Sequence, residues 1–438
     1  MNQAGKVLVS EESRTTRFRL STVRWWIVGV LFFGGVVNYL DRVALSIVAP
    51  QVREEFHLTN SDYALILNLF MAAYAFSYGF GGKLADWLGT RASYYLAVTW
   101  WSIAACLHSL SQGLASLGAF RLLLGLGEAA YFPTGIRAIS EWFQPRDRSK
   151  AIGLLLMGIS VGALLGPPVV AFLTLRYGWR SMFLITGALG FLLLIPWTVL
   201  YRRPEAHPWV GEPEREYLRG MEAAVTSSSE RIQVRDFLRY RAVWTVIVAR
   251  TLLDSTNYFF LFWIPDYLFR ERGFSMAMIG ALLWIPYLFS DFGMIVGGWS
   301  SSALIRRGHG VGFARKSCMI AGASLLPLGI LINVATTPGW IITLISVALF
   351  GFAILAVNIQ TVSTDLSPSH SVGTLYGIAG LAGSVGAVFW QFIIGKLADS
   401  QQYTTIFGLV SLLPVATALI MLTAPIKLLQ RRAENRTA

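Results

Sequence analysis

Long apolar runs, broken only by short polar stretches, fill the chain from Trp25 to about residue 425. Each run is about long enough to cross a bilayer as a helix, which takes roughly 20 residues. They predict twelve spans, at approximately 25–49, 61–82, 92–111, 114–140, 149–174, 180–201, 242–269, 277–302, 315–336, 339–364, 371–398 and 404–425. The sixth and seventh are separated by a polar segment, 202–241, holding Pro204, Pro208, Pro213 and the run Ser227-Ser228-Ser229. It reads as a linker with a surface helix around Glu214 to Ala224. Six spans, a linker and six spans form a two-fold repeat of the kind transporters use. The expected division is a tail at 1–24, a bundle at 25–201, the linker at 202–241, a second bundle at 242–425 and a tail at 426–438. The fold class is an all-α membrane protein of twelve transmembrane helices in two six-helix halves.

Composition agrees with this reading. Hydrophobic residues make up 55% of the chain and charged residues 14%, against roughly 25% charged in soluble domains. The first run exceeds the 7–15 residues of a signal-peptide core, so it reads as a retained span. The net charge of +12 comes from basic residues in alternate loops, not from a basic stretch interleaved with aromatics, which argues against nucleic acid. With the N-terminus inside, the cytoplasmic side collects Arg14, Arg17, Lys83, Arg91, Arg146, Arg148, Arg202, Arg203, Arg306, Arg307, Arg431 and others. The opposite side has Arg53, Arg176, Arg180, Arg270 and Arg272. Both termini and the linker are therefore expected in the cytoplasm. Cys106 and Cys318 lie far apart in apolar segments and read as small buried hydrophobes. No metal or cofactor motif is present, and the phosphate-cradling loop and the common hydrolase motifs are absent from the sequence. These absences disfavour a membrane enzyme.

Charges inside the apolar runs change the picture most. Asp41 and Arg42 lie well inside the first span, Arg121 and Glu128 inside the fourth. A charge at mid-bilayer costs roughly 2.5–3.5 kcal/mol even on lenient insertion scales, so such groups face a cavity or an internal partner. Asn38, Tyr39 and Arg42 share a helix face, while Asp41 lies about 100° away from Arg42. One of that pair is thus expected to meet substrate and the other a neighbouring helix. Arg121 and Glu128 project on one face, about 10 Å apart along the axis. A structural tie between spans 1 and 4 is the alternative, and it is compatible with proton coupling: a carboxylate that holds an arginine when ionised releases it when protonated. In the seventh span Asp254 and Asn257 share a face, and in the tenth Asn358 and Gln360 interrupt an apolar run. These four fit recognition of sugar hydroxyls or, equally, polar bonding between helices. Asp291 is expected near a loop. His108 reads as a packed histidine, and Gly158, Gly162 and Gly166 as a stripe for close helix packing.

Between spans 2 and 3 the chain reads Gly82-Lys83-Leu84-Ala85-Asp86-Trp87-Leu88-Gly89-Thr90-Arg91. This spacing resembles the signature loop of the major facilitator superfamily, and Gly82, Asp86, Gly89 and Arg91 read as a gating motif. A weaker echo runs from Gly297-Gly298-Trp299 to Arg306-Arg307-Gly308, with Ser302 where an acid would be expected. The blocks Asn38 to Arg42, Arg121 to Glu128, Tyr131 to Gly135, Glu141 to Arg148 and Asn257 to Pro265 resemble the anion:cation symporter branch, which includes bacterial sugar-acid transporters. The resemblance implies proton-coupled uptake of an organic anion across the bacterial inner membrane. It implies that Arg42 and Tyr39 contact the substrate carboxylate, that Tyr74 lines the pocket, and that Glu128 carries the proton with Asp41 and Arg121. Arg250, Asp254 and Asp291 look more like hexuronate than galactonate transporters, although hexuronate-type members need not keep an acid at Asp41. The expected partners are a small organic anion, protons and the bilayer, with no cofactor, and the expected state is a monomer. Export or antiport of cationic or amphipathic compounds, and symport of a non-sugar carboxylate, are the competing readings.

Overall fold

The computed structural model describes residues 23–204, 207–225, 240–366 and 372–424, except for the side chains of 78–86, 145–146, 149, 219–225, 363–366 and 372–377. The expected tails, apart from Val23 and Arg24, and the serine run of the linker lie outside the described residues. The first half contains α1 (Val23–Glu55), α2 (Asn60–Leu88), α3 (Thr90–Leu107), α4 (Leu114–Ala129), α5 (Tyr131–Trp142) and α6 (Pro145–Leu200). After it comes α7 (Glu212–Val225). The second half contains α8 (Arg241–Phe262), α9 (Ile264–Arg270), α10 (Met276–Leu282), α11 (Trp284–Arg306), α12 (Val311–Ala323), α13 (Pro338–Leu366), α14 (Val372–Asp399) and α15 (Tyr403–Leu422). Seven helical stretches among the described residues are long and apolar enough to cross a membrane by length and composition.

Several passes differ from unbroken spans, each for a local reason. α6 is 56 residues long, with Gly178 at φ 80° inside it. At 1.5 Å per residue a straight helix of that length would exceed twice a bilayer's thickness of about 30 Å. Gly178 supplies the positive φ that turns the chain back, so spans 5 and 6 meet at one residue instead of a loop. α8 stops at Phe262 and α9 resumes at Ile264, because Pro265 cannot donate to the helix ladder. α12 continues as a 3-10 segment over Leu326–Asn333, which has Pro327 near its start. Joining α4 to α5, α8 to α9, α10 to α11, and α12 to its extension, and splitting α6 at Gly178, makes twelve passes among the described residues, six on each side of α7.

The glycine stripe explains how α1 lies on α6. A Cβ at Gly158 would stand 2.2 Å from the Phe32 carbonyl oxygen, at Gly162 2.6 Å from that of Val36, and at Gly166 2.5 Å from a Val43 methyl. Only glycine permits this approach. Hydrogen bonds joining the halves gather where α1 ends and α2 begins. Arg53 on α1 pairs with Asp266 on α9, both almost wholly buried. Arg270 reaches the same carboxylate at 3.2 Å. Asp399 at the end of α14 accepts from the Asn60 and Ser61 amides at 2.8 and 3.1 Å, capping α2 of the other half. Tyr63 donates to the Phe262 carbonyl at 2.9 Å. At the opposite end Glu214 of α7 accepts from the amides of Val23 and Arg24 at 3.1 and 3.2 Å. It thereby satisfies donors that the first turn of α1 leaves open.

Candidate functional site: a charged cavity between the two halves

Four residues of α1 place the site. Arg42 points from the middle of α1 toward α4, where its Nε donates to Glu128 Oε2 at 2.9 Å. Asn38, one turn earlier, accepts from Arg42 Nη2 at 3.4 Å. The guanidinium carbon lies 4.5 Å from the ring centre of Tyr74 and 5.3 Å from that of Tyr39, in range for cation–π attraction. Glu128 is fully buried, and its Oε1 has no hydrogen-bond partner among the described residues. Arg121, two turns before it on α4, donates through Nη2 to the Arg42 carbonyl at 2.8 Å. Its Nε and Nη1 have no hydrogen-bond partner among the described residues. Asp41 is 1% exposed, and neither carboxylate oxygen has a hydrogen-bond partner at bonding geometry among the described residues; Thr186 lies beside it.

Arg42 and Glu128 stand on the wall of a cavity of about 650 Å³ between the halves. Asn38, Tyr74, Tyr131 and Phe132 line it from the first half, and Arg250, Asp254, Tyr258 and Ser384 from the second. Arg250 Nε donates to Asp254 Oδ2 at 2.9 Å. A Cβ at Gly383 would fall 2.0 Å from that same carboxylate oxygen, so the glycine lets α14 close over the pair. A smaller chamber of about 250 Å³ shares Ile159, Arg250 and Asp254 with the main one. Tyr39, Ser160, Asn257, Tyr287, Asp291 and Gln360 line it.

The structure therefore distributes the residues singled out in the sequence. Arg42, Tyr74, Glu128 and Asp254 border the main cavity; Tyr39, Asn257 and Gln360 border the smaller chamber. Asp41 and Arg121 are packed behind the wall and border neither. Asn358 is a correction. It is fully buried and its Nδ2 donates to the carbonyls of Gly297 at 3.2 Å and Ile354 at 2.9 Å, so it ties α13 to α11 and does not border either cavity. Asp291 is a correction of the other sign: it sits inside α11, away from a loop, on the chamber wall. In the gating motif, the turn falls at Gly89, with φ 78°. Arg91 Nη2 donates to the Thr198 carbonyl of α6 at 3.1 Å. The backbone at Gly82 and Asp86 belongs to α2, and their side chains lie outside the described residues. His108 is buried, stacked 4.9 Å from Phe183, with Nδ1 2.7 Å from the Ala104 carbonyl.

Tyr258 and Ser384 were not foreseen. Tyr258 had a signal, since Arg250, Asp254 and Tyr258 follow one another at four-residue steps and so share a face of α8. Ser384 had none: a lone serine in an apolar helix is as often bonded to its own backbone, as here to Gly380 at 3.1 Å.

Residues 31–391 match the family model described as the Major Facilitator Superfamily. The hexuronate transporter of Escherichia coli (strain K12) is 29% identical over 409 residues, covering 92% of this chain and 94% of that protein. A probable galactarate/D-glucarate transporter of Bacillus subtilis (strain 168) is 29% identical over 433 residues, covering 95% of each. Among solved structures, a bacterial homologue of the human lysosomal transporter Spinster, inward-facing and occupied, superposes with a TM-score of 0.71 at 18% identity, over 94% of this chain and 97% of that one.

Proposed function

The chain belongs to the major facilitator superfamily, and on that premise we propose that it imports a sugar acid, of the hexuronate class, together with protons. The observation that carries this reading is the buried Arg42–Glu128 pair on the wall of a cavity bounded by both halves. An anion entering a low-dielectric cavity needs a positive charge, and Arg42 is that charge. While Glu128 is ionised it neutralises Arg42. Protonation of Glu128 frees the guanidinium, so proton and anion bind cooperatively. Arg121, fixed to the Arg42 carbonyl, positions the arginine that meets substrate, and Asp41 behind it is a second protonatable carboxylate of the same cluster. Arginine at the centre of the cavity disfavours a cationic substrate. The names borne by the relatives, hexuronate and galactarate/D-glucarate transporters, support sugar acids over other carboxylates.

In this reading both termini and the 202–241 linker face the cytoplasm of a bacterial cell, and the protein acts as a monomer. The end sealed by Arg53, Asp266 and Asp399 is then the outer end. The halves rock about the cavity to alternate its access. Uptake of labelled galacturonate and glucuronate into proteoliposomes, with and without an inward proton gradient, tests the proposal. Accumulation only with the gradient is expected. Equal equilibration in both conditions would remove the proton coupling, and no uptake by inserted protein would remove the hexuronate.

A further inference from the structure

The smaller chamber gives the site a second end with a different chemistry. We infer that it holds the hydroxylated tail of the substrate, and that Asp291 there makes the protein select sugar acids with one carboxylate over those with two. This rests on the reading above, in which Arg42 anchors the first carboxylate.

The two spaces join at Ile159, Arg250 and Asp254, so one elongated molecule can occupy both. Arg42 borders only the main cavity. The chamber's polar groups are of a different kind. Asn257 and Gln360 each carry donors and acceptors, as hydroxyl recognition requires, while an ionised carboxylate only accepts. Among the described lining residues its formal charges do not balance. Arg250 is held by Asp254 at 2.9 Å, which leaves the Asp291 carboxylate in excess on the wall. A hydroxyl donates to Asp291. A second carboxylate in the same place meets a like charge with little water between. The site is thus polarised along its length: positive at Arg42 once Glu128 is protonated, and negative at Asp291.

Galactonate and galactarate are a matched pair for the test, since both are open chains and differ only in whether the far end is a primary alcohol or a carboxylate. Binding of each to the purified full chain is measured by calorimetry, alongside Asp291→Asn, Asp291→Ser and Arg42→Met. The wild type is expected to bind galactonate about tenfold tighter or more than galactarate. Both Asp291 variants should bring the ratio to within about threefold, by strengthening galactarate binding. Asp291→Ser removes the same charge with a smaller side chain, so the test does not depend on one variant folding. Galactarate binding as tightly as galactonate to the wild type would overturn the inference, as would an unchanged ratio in folded Asp291 variants. If either result came with both acids still lost in Arg42→Met, the anchor would stand and only the chamber's role would fall. Undiminished binding by Arg42→Met would instead overturn the anchor, and this inference with it.

Discussion

Asp41 and Arg42 are adjacent in sequence and face different environments: Arg42 borders the central cavity, while Asp41 is sealed behind it beside Thr186. The two should separate experimentally. Arg42→Met removes the anion's counter-charge and leaves Glu128 unpaired, so sugar-acid affinity should fall by about 30-fold or more, the scale of losing one partner of a buried charge pair. Asp41→Asn keeps shape and does not touch the cavity. Affinity at saturating proton concentration should stay within about threefold, while the pH dependence of uptake changes. Calorimetry and a pH series of proteoliposome uptake distinguish them; equal loss of affinity in both would contradict the placement.

The Arg53–Asp266 pair joins the halves where α1 ends, and in the proposed mechanism closure at that end depends on it. Removing one member of a buried pair typically costs about 3–5 kcal/mol, whereas replacing both with apolar residues is often neutral. Asp266→Leu alone leaves the Arg53 guanidinium buried without its carboxylate, and that charge regains water only if this end opens. Asp266→Leu should therefore shift the population toward a state open at this end, and Arg53→Met with Asp266→Leu should restore closure. Spin labels placed across the two halves read this as a distance distribution. A single variant with the wild-type distribution would show that the pair does not hold the seal.

The glycines of α6 should be intolerant in a graded way. Gly158→Ala and Gly162→Ala put a methyl within 2.6 Å of a backbone carbonyl of α1, and overpacking of this kind costs about 1–3 kcal/mol. Gly153→Ala meets nothing within 4 Å and serves as the control. Thermal unfolding in detergent should show lowered midpoints for the first two and not for the third.

Asn358 should matter for folding and not for binding. Its amide bonds two backbone carbonyls away from either cavity. Asn358→Leu is expected to destabilise by about 1–3 kcal/mol, the scale of a disrupted buried polar contact, with galacturonate affinity in the folded fraction within about twofold of wild type. A selective loss of affinity would return it to the substrate site.

The length of the apolar runs made the number of passes legible, because bilayer thickness sets how many residues a helix needs. Helical period likewise placed Arg42 and Asp41 on different faces. Period does not tell which helix a face meets. Arg42 and Glu128 are 86 residues apart, Arg53 and Asp266 213, and neither pairing follows from local pattern. The same gap explains Asn358 and Asp291. Both are polar residues in apolar helices, and only the packing of α11 against α13 and the chamber decides which ties two helices and which lines the chamber. Gly178 was hidden for another reason: a single residue with positive φ can replace a loop, and a lone glycine in an apolar run does not announce its dihedral angle.

The most direct test of proton coupling through Glu128 compares two modes of transport in one variant. Proteoliposomes bearing Glu128→Gln, which mimics the protonated carboxyl, are assayed for counterflow of labelled galacturonate and for its accumulation under an inward proton gradient. The account predicts counterflow retained and gradient-driven accumulation lost. Accumulation at the wild-type level in Glu128→Gln would contradict it.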